Sequence, residues 1–396
     1  MVKRIFFHLS VLLPLLLFMT GCWDRLEIEE RGFVIGVAID LVEEDNNDPT
    51  VEITSQFVIP GGIGAPTQGG KEDQSPYMNF SETGKSLFSI SREMRKATNF
   101  VPFYQHLKVI ILSEDVVKQP HILTNLMDVF IRDHDMRRNV KLLITEGEAK
   151  KLLETGQKEA PLPAMYINRL LDTSIMNNTT IKPVIVGDLQ GDLLVEKSFI
   201  VPKIELMGEH IKYEEVGVFK GKTNQLIGIL DGEETKGLNF ITQQSEGGTL
   251  ELEVDGKLTT VEIIEYRTNT EIKGEDKENL QAEVSVKVTG NIAETFSSES
   301  LLNEEYAVKV EEEMKEKVEQ FMELAINRIQ GEMQADVLGM SDILYRRHYD
   351  LWKEVEGNWE YGEKYFTQLD INVSADVKIE RVGASDVIDK EGEEIN

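Results

Sequence analysis

Cysteine is nearly absent from this sequence: Cys22 is the single one in 396 residues. Without a second thiol the chain can neither close a disulfide on itself nor build a multi-cysteine zinc site. Positive charge is also scarce. Lys and Arg total 42 against 71 Asp and Glu, giving a formal charge of -29. Such a body repels phosphate backbones and anionic head groups, which excludes nucleic acid as a partner and leaves overall charge unable to hold the chain on a membrane. Beyond Cys22 no apolar run approaches the roughly 20 residues that a membrane-crossing helix needs.

Motifs for chemistry are missing as well. Gly84-Lys85-Ser86 imitates the end of a phosphate-binding loop, but Asn79 stands where that loop needs glycine. Its lead-in, Ser75-Pro76-Tyr77, is no buried strand, so a helix starting on Ser81 is the better account. His106, His121, His134, His210 and His348 are scattered, with no pair at zinc-ligand spacing. Asp133-His134-Asp135 lies among Arg132, Arg137 and Arg138 and reads as a salt-bridged helix end. No Gly-x-Ser-x-Gly elbow occurs. In so acidic a chain, pairs such as Glu43-Glu44 and Glu214-Glu215 are solvated surface. No catalytic, cofactor or metal site is expected, and the chain is not expected to be an enzyme.

What is present begins at the N-terminus. Lys3 and Arg4 precede a nearly apolar stretch over residues 5–19, too short to span a bilayer as a helix. This is the layout of a secretory leader. It ends in Met19-Thr20-Gly21-Cys22, small residues before a cysteine, the pattern of a lipoprotein cleavage site. Cys22 is the expected lipidation site. Two acyl chains give a stable anchor at about 0.8 kcal/mol per buried methylene, where one chain is marginal. Cutting after residue 21 would leave 375 residues carrying -31.

Along that body, residues 32–42 form an almost wholly apolar, β-branched run suited to a strand buried on both faces. Val51, Ile53 and Phe57 mark its hairpin partner, and residues 60–76, rich in Gly and Pro, read as a loop. Helices are predicted over 82–96, 116–131 and 148–154, and strands over 106–112 and 139–145, so this half is mixed α and β. A boundary is placed near residues 195–210. Beyond it come strands at 216–219, 225–230 and 250–254 and two long ones, the second carrying Val284, Val286 and Val288 on one face. Val310, Met314, Val318, Phe321, Ala325, Ile329 and Met333 form one apolar stripe of a long helix over 304–333. Trp352 and Trp359 are placed in the core, and residues 369–379 alternate as a half-buried strand. The expected fold is α+β with two to three domains: a mixed α/β N-terminal half and a strand-rich C-terminal half with one long helix.

From Gly21-Cys22-Trp23-Asp24 onward the sequence resembles the Ger(x)C lipoproteins, the C subunits of spore germinant receptors. The likeness continues through Glu27-Ile28, residues 32–40, His106-Leu107-Lys108-Val109-Ile110 and residues 130–138. It returns at Val218-Phe219-Lys220-Gly221, residues 226–230, Glu234 and Gly237-Leu238-Asn239-Phe240. It closes with Ala335-Asp336-Val337-Leu338-Gly339, Leu351-Trp352, Trp359 and Gly383. The departures are Met340-Ser341, where a Gly is common, and Tyr365. Single motifs are weakly specific; their order and coverage carry the resemblance.

The resemblance implies a leader over 1–21, an N-terminal Ger(x)C domain over 22–200, a C-terminal one over 201–386 and a polar tail over 387–396. It also implies a subunit held by acylated Cys22 on the outer leaflet of the spore inner membrane, assembled with two integral membrane subunits, one similar to amino-acid transporters, in nutrient-triggered germination. It supplies no catalytic residue and no cofactor, and leaves direct nutrient binding open. The alternatives are an extracytoplasmic solute-binding lipoprotein of a transporter, which needs two α/β lobes around a cleft, and an exported cell-wall hydrolase, for which the motifs are missing.

Overall fold

A computed structural model describes residues 31–43, 49–60, 75–98, 100–133, 136–156, 160–208, 210–274, 276–299 and 303–382. Cys22, residues 61–74 of the stretch 60–76 expected as a loop, and His134-Asp135 lie outside them. The architecture is mixed α and β on two sheets, as expected from the sequence. Among the described residues the first sheet has ten strands and the second four.

The apolar run at the start forms β1 (Arg31–Glu43), which sits inside the first sheet. β2 (Thr50–Val58) pairs with it antiparallel as the expected hairpin, and β3 (Tyr77–Gly84) adds outside β2. On the other side of β1 run β5 (Val109–Ser113), β6 (Lys141–Thr145) and β8 (Phe199–Met207), all parallel. β4 (Val101–Phe103) lies beside the start of β1, and β7 (Val184–Ile185) beside β6. Strand pleating sends Val34, Val37, Ile110 and Leu142 to one core and Ile35, Ala38, Ile111 and Leu143 to another. α1 (Leu87–Ala97), α2 (Glu114–Val117) and α3 (Ile122–Arg132) cover the first face. α4 (Lys150–Glu154) and α5 (Pro163–Thr173) cover the second, while α6 (Val186–Leu194) returns to the first.

β9 (His210–Lys220) and β10 (Gln225–Leu230) complete this sheet as a tight hairpin. The interval 195–210, where a boundary was expected, takes in β8 and the turn into β9, and these strands pair within one sheet from Phe199↔Phe219 to Met207↔His210. After α7 (Gly232–Thr242) comes the second sheet, β11 (Gly248–Val254), β12 (Lys257–Lys273), β13 (Gln281–Thr295) and β14 (Asp370–Val382). Its alternating sequence leaves Glu and Lys on one side and buries Val261, Ile263, Val284, Val286 and Val288 on the other. There they meet α8 (Glu304–Ile326), whose predicted stripe is buried throughout. The stripe continues through a π-helical turn over Asn327–Met333, so the long helix changes its pitch at its end. This core is continuous with one face of the first sheet.

Three local expectations are corrected. The helix over 82–96 begins five residues late, because Ser81 belongs to β3, where its hydroxyl lies 2.7 Å from that of Thr54. Ser86, not Ser81, caps α1. The helix over 116–131 is two helices, since Pro120 and His121, at φ 62°, interrupt it. The strand over 106–112 starts later, at Val109.

Candidate functional site

The scattered motif residues of the second half meet the first sheet in one buried polar clamp. Asp336, 1% exposed, accepts from the backbone N–H of Met340 (3.0 Å) and Ser341 (2.6 Å), capping α9 (Met340–Arg347). Its Oδ2 also accepts from the Trp359 indole at 2.8 Å. The neighbouring Glu360 takes the backbone N–H of Asp336 at 2.8 Å, the Ser198 hydroxyl at 2.6 Å and the Lys220 ammonium at 3.1 Å. Lys220 also donates to the Gln334 carbonyl and lies 4.9 Å from the Tyr361 ring centroid. Ser198 accepts from Gly221 N–H at 3.0 Å, and a Cβ on Gly221 would collide with the Glu196 carbonyl. β8 and β9 are thus tied to residues 334–361. Trp359 is buried and packs at 5.9 Å from both Trp352 and Phe366, in keeping with its expected core placement; Trp352 is half-buried.

The stretch Gly237-Leu238-Asn239-Phe240 serves a helix crossing. Gly237 lets α7 approach α8 so closely that a Cβ would strike the Phe321 carbonyl. Asn239 donates to the Asn178 and Thr180 carbonyls at 2.7 Å each, fixing the connection before β7. A third buried group, Lys203, faces Glu114 (3.1 Å), Glu205 (2.8 Å) and Glu215 (2.7 Å). Burial opposes its charge, but hydrogen bonds to these carboxylates outweigh that and hold its pKa above the ordinary lysine range. These networks tie structural elements together, and within them Asn239 Oδ1 is buried without a hydrogen-bond partner.

A partly open hollow lies elsewhere, between α1, the start of β1, β4 and the end of α3. This cavity of about 260 Å³ is walled by apolar side chains and bordered by Arg31, Arg92, Arg95 and Asp133. Arg31 stacks 4.5 Å from the Phe103 ring centroid and Arg92 4.8 Å from that of Phe88.

The candidates weighed in the sequence fall as follows. Gly84-Lys85-Ser86 closes β3 and caps α1, with Ser86 accepting from Ser89 N–H. His106 packs against the Phe33 ring at 5.4 Å, while His121 and His348 stand at helix starts. No group of three or more potential metal ligands occurs among the described residues. Arg132 pairs with Asp128 at 2.6 Å at the end of α3. No described helix is long and apolar enough to cross a membrane.

The family profile described as Spore germination protein N-terminal domain matches residues 24–206, and that described as Spore germination B3/GerAC like, C-terminal, matches 214–383. The chain belongs to the Ger(x)C family of spore germination proteins. Its Ger(x)C relatives in Bacillus subtilis (strain 168) include Spore germination protein YndF, 27% identical over 93% of this chain and 95% of the relative. Spore germination protein B3 is 26% identical over 94% and 97%. The crystal structure of the GerBC protein superposes with a TM-score of 0.59 at 21% identity, over 86% of this chain and 97% of that one, so the fold is shared. The Ger(x)C family is not a known enzyme family.

Proposed function

We propose that this protein is the lipid-anchored C subunit of a nutrient germinant receptor, working by protein contact. Cys22 carries the acyl anchor on the outer leaflet of the spore inner membrane, and two integral membrane subunits complete the assembly. The observation that carries the reading is the match of both family domains in order across nearly the whole chain, with relatives covered almost end to end. Its buried polar groups support it, being spent on tying elements together at Asp336, Glu360 and Lys203. The solute-binding alternative calls for two α/β lobes around a cleft. Here the second sheet is mainly antiparallel, with α8 packed over one face, and its core runs into that of the first.

Replacing Cys22 by Ala tests the reading in spores. The variant protein is expected to fold but leave the membrane fraction, and germination by its nutrient is lost. Normal germination with the variant would refute the tethered-subunit assignment.

A further inference from the structure

The arginine-bordered cavity shares no lining residue with the networks around Asp336, Gly237 and Lys203. Phe88, Ser91, Arg92 and Arg95 line it from α1; their spacing of three and four residues stacks them on one helix face. Arg31 enters from the first residue of β1, beside β4 through its pairing with Val101. Three arginines thus line one largely apolar hollow in a chain of formal charge -29. Asp133 is the carboxylate on the same border. Arginine's planar fork is suited to phosphate and carboxylate oxygens, and the hollow beneath is suited to carbon.

Position supplies the occupant. Arg31 is nine residues from Cys22, a distance the chain spans in no more than about 32 Å however it runs. If Cys22 is anchored, as proposed above, the cavity mouth is tethered near lipid head groups while the acidic remainder is repelled by them. At about 260 Å³ the cavity falls below the roughly 300–1,000 Å³ of sites that engulf drug-sized ligands. It has room for a headgroup and its first carbons, with the acyl chains left in the bilayer.

We propose that this cavity binds the phosphate headgroup of an anionic membrane phospholipid, orienting the tethered body on the membrane. Phosphate oxygens meet Arg92 and Arg95, and the glycerol carbons enter between Phe88 and Phe103.

The test uses the protein from residue 22 onward carrying Cys22→Ser, so that no acyl anchor contributes. Co-sedimentation is measured with phosphatidylglycerol–phosphatidylcholine vesicles and with pure phosphatidylcholine vesicles. Binding only to the first is expected. Arg92→Gln with Arg95→Gln should weaken it at least tenfold without lowering the melting temperature, because both side chains are exposed. Lys309→Gln with Lys353→Gln, far from the cavity, should leave it unchanged. Soluble dihexanoyl phosphatidylglycerol should raise the melting temperature where inorganic phosphate at the same concentration does not. Absent vesicle binding, equal loss with the two lysine changes, or equal protection by inorganic phosphate would overturn the proposal. Because the anchor is removed, failure here leaves the acylation of Cys22 to be judged by its own mass.

Discussion

Removing the Asp336 carboxylate should unfasten the second half from the first sheet. In Asp336→Ala the indole N–H of buried Trp359 and the backbone N–H of buried Met340 lose their acceptor. A buried donor left unsatisfied costs about 1–3 kcal/mol, and loss of a helix cap about 1 kcal/mol. Because the Met340 N–H bond is itself the cap, the indole and the cap together are expected to cost about 2–4 kcal/mol, a large part of the roughly 5–15 kcal/mol that holds a typical protein folded. With a denaturant slope of about 3 kcal/mol per molar urea, the midpoint should fall by roughly 0.7–1.3 M. Two of the three tryptophans, Trp352 and Trp359, stand at this site, so tryptophan fluorescence follows it directly. Asp336→Asn keeps one accepting oxygen and should lose about half as much. A midpoint shift below about 0.3 M for Asp336→Ala would mean that the carboxylate does not fasten these elements.

The Lys203 cluster sets a pH window. Its ammonium has a raised pKa, so its contribution is fully present below about pH 10.4, the unfolded value, and is lost as pH rises through the folded one. Glu205, whose pKa the hydrogen bond from Lys203 lowers, contributes above about pH 4.3 and loses that as pH falls. Lys203→Met leaves Glu114 and the half-buried Glu205 and Glu215 without their cation, should cost less than the roughly 3–5 kcal/mol of a fully buried pair at pH 7 because solvent screens the latter two, and should recover stability on acidification; urea midpoints across pH decide this. Gly237→Ala should lower stability by about 1–3 kcal/mol, read as a lower melting temperature, because helix propensity cannot offset the collision with Phe321. Glu319 and Glu311 accept the Ala375 and Ile379 N–H groups at 2.8 and 2.9 Å, occupying the outer edge of β14. Their joint change to Ala should expose that edge and raise aggregation in light scattering; an unchanged signal would show the edge is protected otherwise.

Elements with a strong local period were legible. The apolar run of β1, the alternation of β13 and β14 and the stripe of α8 each report one face, and the packing follows them. α7 was not read, because Gly232, Thr235, Gly237 and Asn239 are poor helix formers. Its one local signal was the capping box of Asp231 and Glu234. α5 was hidden behind Pro163, which reads as punctuation but serves as the first helical residue. The recurring positions Lys220, Asp336 and Trp359 were visible as a resemblance without a reason; three-dimensional proximity to Ser198 and Glu360 supplies it. The arginine-bordered cavity had no sequence signature, since its walls come from α1, β1, β4 and α3 and no local pattern links them.

The proposed subunit is held by lipid and acts by joining membrane partners. Affinity isolation of the native protein from detergent-solubilised spore inner membranes tests it most directly. Two integral membrane proteins are expected to be recovered with it in constant ratio. Recovery of the protein alone, from membranes that still contain intact receptors, would contradict it.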